Sequence, residues 1–147
     1  MTRMKQLLND DRGEIEDIPG LTILLVGIIC PLLAVVLFMG RFGLAANSVQ
    51  SAAAAAARDA SLSRTAAEAI PHAQTAAEIA LKGNVDCVPL DVTIGGNGLS
   101  TRLGETGTVS ATITCTISNS DLAFALIPGT TTVIRTAISP VDPYRQR

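Results

Sequence analysis

The feature that most constrains this chain is an apolar run over residues 18–40, in which Cys30 is the only ionisable side chain. At about 1.5 Å per residue, an α-helix of this length extends roughly 34 Å and covers a hydrocarbon core of about 30 Å. Pro19 suits a helix start, where its missing N–H has no helical partner, whereas Pro31 predicts a kink in mid-span. The run therefore predicts a transmembrane helix.

Two other structures are compatible with such a run. A buried core helix of a soluble protein seldom exceeds about 20 residues without a charge. A cleaved secretory signal has an apolar region of about 7–15 residues, although Gly43 and Ala45 do form a small-x-small pair after Arg41. The length of the run favours a permanent span over both alternatives.

Positive charges near the run indicate its orientation. Arg3, Lys5 and Arg12 precede it, whereas Arg41 is the one cation close behind it. Positive residues concentrate on the cytoplasmic side of a membrane, and acidic residues contribute little to this rule. We therefore expect residues 1–17 to be a charged cytoplasmic segment.

The cysteines give an independent indication of sidedness. Cys87 and Cys115 lie 28 positions apart in strand-like stretches and are predicted to form a disulfide. Closing a loop of this size stabilises the fold by about 3.5 kcal/mol, and such a bridge persists outside the cytosol. Cys30 is predicted to be a packing or lipid-facing residue. A metal site would need more ligands than two thiols and His72 supply.

Residues 41–83 are rich in alanine, the best helix former, and predict an extracytoplasmic helix. Pro71 predicts a kink or a restart within it, and Gly83 with Asn84 predicts its end. Apolar residues recur at steps of three and four, so one face should be buried. That predicted stripe comprises Leu62, Ala66, Ala69, Ile70, Ala73, Ala77, Ala80 and Leu81.

Residues 84–139 predict a small antiparallel sheet. Residues 108–117 alternate apolar side chains with Thr and Ser, which is typical of a half-buried strand. Residues 85–94 and 130–138 resemble this strand, and residues 119–129 separate the second strand from the third.

One face of this sheet is expected to pack against the alanine stripe, which gives an α+β fold. The residues expected on that face include Val92, Ile94, Ile113 and Cys115. Glycine clusters at 95–98 and 104–107 bracket the first connection, and residues 140–147 are predicted to be an irregular tail.

Catalytic and nucleic-acid-binding patterns are missing from the sequence. Eleven Lys and Arg against 13 Asp and Glu give a net charge of -2, which does not suit a nucleic-acid partner. His72 has no triad partners nearby in sequence and is predicted to be solvated. The glycines at 95–98 lack the Lys-Ser/Thr of a phosphate loop. We therefore predict a non-enzymatic protein without a metal site or cofactor.

The order of features along nearly the whole chain resembles the TadE-like proteins of tight-adherence (Flp) pilus systems, especially the actinobacterial ones. The resemblance implies a pilin-like membrane subunit or assembly factor. The residues that carry it are Asp11-Arg12-Gly13, Gly40-Arg41, the stretch 54–65, Cys87, Cys115, Ile127-Pro128-Gly129 and the stretch 140–145.

The resemblance also implies prepilin-like cleavage after Gly13, which would make Glu14 the first mature residue. Prepilins carry a glutamate at the fifth mature position, which in this chain is Ile18. Glu16 or Asp17 is then the acid that would lie at the helix terminus.

Together with the predicted span, the resemblance implies a single-pass plasma-membrane protein that helps to assemble a tight-adherence pilus. Its partners would be the lipid bilayer and other pilus subunits or membrane assembly components, contacted through the N-terminal helix. A type II secretion-like pseudopilin and a membrane-tethered or secreted binding module are the alternatives.

Overall fold

The computed structural model describes residues 19–123 and 128–144. Its long N-terminal helix, second helix and three-stranded antiparallel sheet confirm the predicted α+β class. The first helix passes from one compact unit of the chain into a second between Val36 and Leu37. The elements are α1 (Pro19–Leu62), α2 (Ala66–Leu81), β1 (Leu90–Gly96), β2 (Gly107–Ser118), α3 (Asn119–Ala123) and β3 (Thr130–Val141).

The first part of α1 is covered with exposed apolar side chains. The helix continues through Pro31, and all Ile, Leu and Val side chains between Ile23 and Val36 are 46% to 72% exposed. Cys30 is also exposed and has a free thiol. Aliphatic surface of this kind is normally buried, so this part of α1 is built for an apolar environment.

The helical part of the chain is interrupted at residues 63–65, and not at Pro71 as predicted. At the end of α1, the Ser61 hydroxyl donates to the Arg58 carbonyl oxygen at 2.7 Å, and the Ser63 amide donates to Ala60. Thr65 then has an extended backbone, and its hydroxyl oxygen accepts from the Glu68 amide. Hydroxyl groups thus satisfy free backbone groups on both sides of the interruption.

Pro71 lies inside α2, where it removes one backbone hydrogen bond. The bond would have gone to the carbonyl of Ala67, and both residues are exposed, so water can take that carbonyl. The buried stripe of α2 is narrower than predicted. It consists of Ala69, Ala73, Ala77 and Leu81, whereas Ile70 is 51% exposed.

β2 is the central strand of the sheet and has one buried face. The strand order is β1-β2-β3, and the register sets Ile113 opposite Val92 on one side and Arg135 on the other. Alternate β2 residues from Val109 to Ile117 are buried, including Ile113 and Cys115 as predicted. Val92 and Ile94 are partly buried against the same core.

The core joins this sheet face to small side chains of both helices. One face of α1 contributes buried alanine methyl groups, and α2 lies against β1. Because alanine is short, the α2 backbone can approach β1 closely. The fully buried α1 residues are Val49, Ala52, Ala53, Ala56 and Ala60.

The strand boundaries differ from those predicted at two ends. β1 begins at Leu90, five residues later than expected, although the Val88 amide and the Pro89 carbonyl still form hydrogen bonds with Thr116. The Val88-Pro89 peptide bond that precedes β1 is cis. β3 extends to Val141, so Pro140 belongs to the sheet and not to an irregular tail. Proline is tolerated there because β3 is an edge strand.

Two glycines allow the β1–β2 connection to lie against the end of the sheet. The Gly98 amide donates to the Thr108 carbonyl oxygen at 2.9 Å. A Cβ atom at Gly98 would lie 2.5 Å from Cγ2 of Val141, and one at Gly107 would lie 2.5 Å from Cα of Gly98. Only glycine permits this close approach of backbone to backbone.

Candidate functional site

α1 is a single continuous helix, but the exposure of its side chains differs between its first and second parts. It has 44 residues. By length and composition, it is sufficiently long and apolar to cross a membrane, and none of its most apolar window is buried. Past Gly43 the pattern reverses, since Ala45, Ala46 and Val49 are buried in the core.

The predicted pair Cys87 and Cys115 is joined in a disulfide, with the two Cα atoms 5.0 Å apart. Cys115 lies in the middle of β2 and is fully buried, whereas Cys87 is half-buried. Beside the bridge, the Val88 amide donates to the Thr116 carbonyl oxygen at 2.8 Å. The disulfide thus links the segment that follows α2 to the central strand.

An open groove lies beside the first polar turns of α1. Its volume is about 670 Å³, and its walls come from α1, the end of α2, residues 83–86, β2 and α3. Leu44, Val85, Ile117 and Leu122 supply its apolar part. Both apolar and charged residues therefore line this open groove.

The charged side chains of the groove are one cation and two carboxylates, Arg41, Asp86 and Asp121. The Arg41 guanidinium donates from Nη1 to the backbone carbonyl oxygen of Asp121 at 3.3 Å. This bond connects residues 80 positions apart and holds α3 against α1. The Asp86 carboxylate is exposed and makes no hydrogen bond or ion pair with the residues that the structure describes.

His72 has an acidic neighbour that is distant in the sequence. Its Nδ1 atom lies 4.0 Å from Oδ2 of Asp59, across the two helices. The side chains are 63% and 43% exposed, so solvent screens this contact and it contributes little to stability. His72 is therefore largely solvated, as predicted, but with a carboxylate nearby.

The remaining predicted site residues were Gly13 and Glu14, at the implied cleavage point, and Glu16 and Asp17, at the helix terminus. All four lie outside the described residues. Within residues 19–123 and 128–144, no group of three or more His, Cys, Asp and Glu side chains could hold a metal ion.

The groove has no counterpart among the features predicted from the sequence. Its parts are separated by about 40 residues from one to the next, and no local motif links Arg41, Asp86 and Asp121. The available signal is Asp121 after the polar pair Asn119-Ser120, a pattern that can also begin a short helix within the predicted connection 119–129.

No protein-family model, curated protein or solved structure matches this chain. A functional proposal for this chain therefore depends on three structural features: α1, the disulfide and the groove.

Proposed function

We propose that this chain is a non-enzymatic, single-pass membrane protein of pilin-like build that contributes to assembly of a tight-adherence (Flp-type) pilus. The observation that carries the proposal is the division of α1 into two parts. Its first part exposes aliphatic side chains from Ile23 to Val36, and its second part supplies the alanine face of an α+β core. One helix thus serves as membrane anchor and as scaffold.

The disulfide supports an extracytoplasmic position of the part that follows the anchor. Cys87 and Cys115 are bonded, and structural disulfides are rare in the reducing cytosol. The flanking charges agree, since Arg3, Lys5 and Arg12 precede the anchor. The proposed protein lies in the plasma membrane with a cytoplasmic N-terminus.

The exposed aliphatic surface of α1 also supports lateral contacts. In a membrane, apolar helices associate by close packing. Gly27 leaves room for a neighbouring backbone, because no other atom lies within 4 Å of the position that a Cβ atom would take there. The proposed partners are other pilus subunits and membrane assembly components that contact this part of α1.

Deletion of the gene in its host, followed by shearing of surface pili from the cells, tests the proposed role. We expect the pili to be lost and to return with the unaltered chain. Pili that persist while protein export fails would favour a pseudopilin of a secretion system. Unchanged pili and unchanged export would overturn both assignments.

A photo-crosslinking residue tests the proposed contacts in the same cells. At Leu33 in the apolar part of α1 it should capture pilus or membrane assembly components. The matched control is Ile79 on α2, which is 69% exposed but outside the anchor. Equal capture at both positions would contradict lateral association through the apolar helix.

Mass spectrometry of the membrane-extracted protein tests the cleavage that the family resemblance implies. A chain that begins at Glu14 establishes processing after Gly13, and a chain that begins at Met1 rejects it. The same spectra, with and without reduction, count the thiols and verify the Cys87–Cys115 bridge.

A further inference from the structure

The β1–β2 connection contains two neighbouring groups that can react with each other, the side-chain amide of Asn97 and the backbone nitrogen of Gly98. An asparagine loses its amide when the next backbone nitrogen attacks the side-chain carbonyl carbon. Glycine leaves this approach open because it has no Cβ atom. Asn97 is exposed, whereas Gly98 is buried.

Thr108, near the start of β2, is hydrogen-bonded to both reacting groups. The Gly98 amide donates to the Thr108 carbonyl oxygen at 2.9 Å, and the Thr108 amide donates to Oδ1 of Asn97 at 3.3 Å. The ladder between β1 and β2 ends at the pair of Gly96 and Val109, so the Asn97 side chain supplies an acceptor one position beyond it. A Cβ atom at Gly98 would lie 2.9 Å from the Thr108 carbonyl carbon, which shows how closely the two backbones approach.

These same contacts oppose the reaction between Asn97 and Gly98. Attack requires the Gly98 nitrogen to give up its proton and to reach Cγ of Asn97. In the closed connection the Thr108 carbonyl oxygen holds that proton, and the Thr108 amide holds the Asn97 side chain. Both hydrogen bonds must break together, so the equilibrium of this local opening sets the rate.

We propose that Asn97-Gly98 is a self-modification site whose reaction is gated by local opening of the β1–β2 connection. On opening, the Gly98 nitrogen forms a bond to Cγ of Asn97, and Nδ2 leaves as ammonia with the displaced amide proton. Water then opens the imide ring at one of its two carbonyl carbons. Cleavage of the bond from Cγ gives aspartate, whereas cleavage of the bond from the main-chain carbonyl carbon gives isoaspartate.

The two products affect the connection differently. Aspartate keeps an oxygen that accepts from the Thr108 amide, and its new charge lies at an exposed residue. In isoaspartate the main chain runs through Cγ and is longer by one CH2 group, which moves the acceptor away from Thr108. An opening that leads to isoaspartate therefore leaves the connection permanently loosened.

Incubation of the full chain in detergent micelles and mildly alkaline buffer tests the proposal. A second sample contains urea to unfold the chain, and peptide mass spectrometry follows conversion of amide to acid in both. Because two hydrogen bonds must break together, we expect conversion at Asn97 to be at least about 30-fold slower in the folded chain. Asn84 precedes the branched Val85 and should convert slowly in both samples. Equal rates at Asn97 in the two samples, or no conversion in the unfolded chain, would overturn the inference.

Two valine truncations distinguish local opening from global unfolding. Val141 is buried, and its Cγ2 atom lies 2.5 Å from the position of a Cβ atom at Gly98, so this side chain packs on the connection. Val133 is buried on the same strand but lies opposite Cys115. Val141→Ala should speed conversion in the folded chain about tenfold, whereas Val133→Ala should leave it unchanged. Equal acceleration by both, or none by either, would contradict local gating.

Asn97→Gln assigns the reaction to this residue. Glutamine would have to close a larger ring, so conversion at position 97 should disappear from both the folded and the unfolded sample. Circular dichroism verifies that the variant retains its fold. Conversion that persists at the unfolded rate would show that the Gly98 nitrogen is not the attacking group.

Discussion

The hydroxyl of Ser139 in β3 donates to the hydroxyl oxygen of Ser61 at 3.0 Å, which ties the end of α1 to the edge of the sheet. The two residues lie 78 positions apart. Ser61 is only 7% exposed, and its own hydroxyl donates to the Arg58 carbonyl oxygen. One side chain therefore ends the helix and also fixes its position against β3.

Ser61→Ala is expected to lower the free energy of unfolding by about 1–2 kcal/mol, because it removes both of these hydrogen bonds. Thermal unfolding of the full chain in detergent, followed by circular dichroism, measures the loss. Ser100→Ala is the matched control, since Ser100 is exposed and its hydroxyl donates only within a turn. Equal losses of unfolding free energy in both variants would show that the Ser61 hydrogen bonds stabilise the fold no more than the Ser100 hydrogen bond does.

The alanine face of α1 predicts a strong dependence on side-chain size. Ala56 is fully buried, so Ala56→Leu forces extra volume into the core and should cost about 1–3 kcal/mol. Ala54 lies on the exposed side of the same helix, and Ala54→Leu should change stability by less than about 0.5 kcal/mol. The same unfolding measurement compares the two, and a tolerated Leu at position 56 would contradict close packing.

Much of the fold could be predicted because its signals are local. The apolar run, the two-residue alternation around Ile113 and the polar surroundings of Cys87 and Cys115 each reflect the environment of a single segment. The α+β class, the antiparallel sheet and the disulfide follow from these local signals. Each of them is present in the structure.

The predicted position of the helix interruption was wrong because two local signals in the sequence compete. Pro71 is the stronger helix breaker in general, but an exposed second-turn proline costs one hydrogen bond that water replaces. Thr65 with Glu68 has the spacing of a capping box, and the structure uses Thr65 as the N-cap of α2. The cap was therefore the better indicator of where α2 begins.

The groove and the end of β3 could not be predicted because they depend on tertiary contacts. Arg41 meets the Asp121 carbonyl only after α1, the sheet and α3 are assembled. Similarly, Pro140 is acceptable in a strand only when that strand is at the edge, which the sequence does not specify.

The disulfide is expected to contribute about 3.5 kcal/mol to the stability of the part that follows the anchor, through the loop of 28 residues that it closes. Cys87→Ala should lose this contribution, whereas Cys30→Ala, at an exposed free thiol, should not. Maleimide labelling of the denatured chain gives a direct count. One thiol should react before reduction and three after it, and three before reduction would contradict the bridge.

Because other atoms lie close to its backbone, Gly98 is predicted not to tolerate a side chain, unlike most other glycines of the chain. Gly98→Ala places a methyl group against Val141 and the Thr108 backbone and should cost about 1–3 kcal/mol. Gly43→Ala is the control, because nothing lies within 4 Å of that position and alanine favours a helix by up to about 1 kcal/mol. If Gly98→Ala and Gly43→Ala shift the unfolding midpoint in the same direction, the close packing of the β1–β2 connection is contradicted.

The anchor makes the sharpest prediction, since two exposed isoleucines should respond differently to the same change. Ile29 lies at the centre of the apolar run, 11 residues from each end, and Ile79 lies on α2. Ile29→Arg places a charge at mid-span and should raise the free energy of insertion by about 2.5–3.5 kcal/mol, which lowers partition into vesicles roughly 100-fold. Ile79→Arg should leave partition unchanged because α2 lies outside the proposed span. Flotation of both variants with liposomes measures the difference, and equal flotation would mean that α1 is not a membrane anchor.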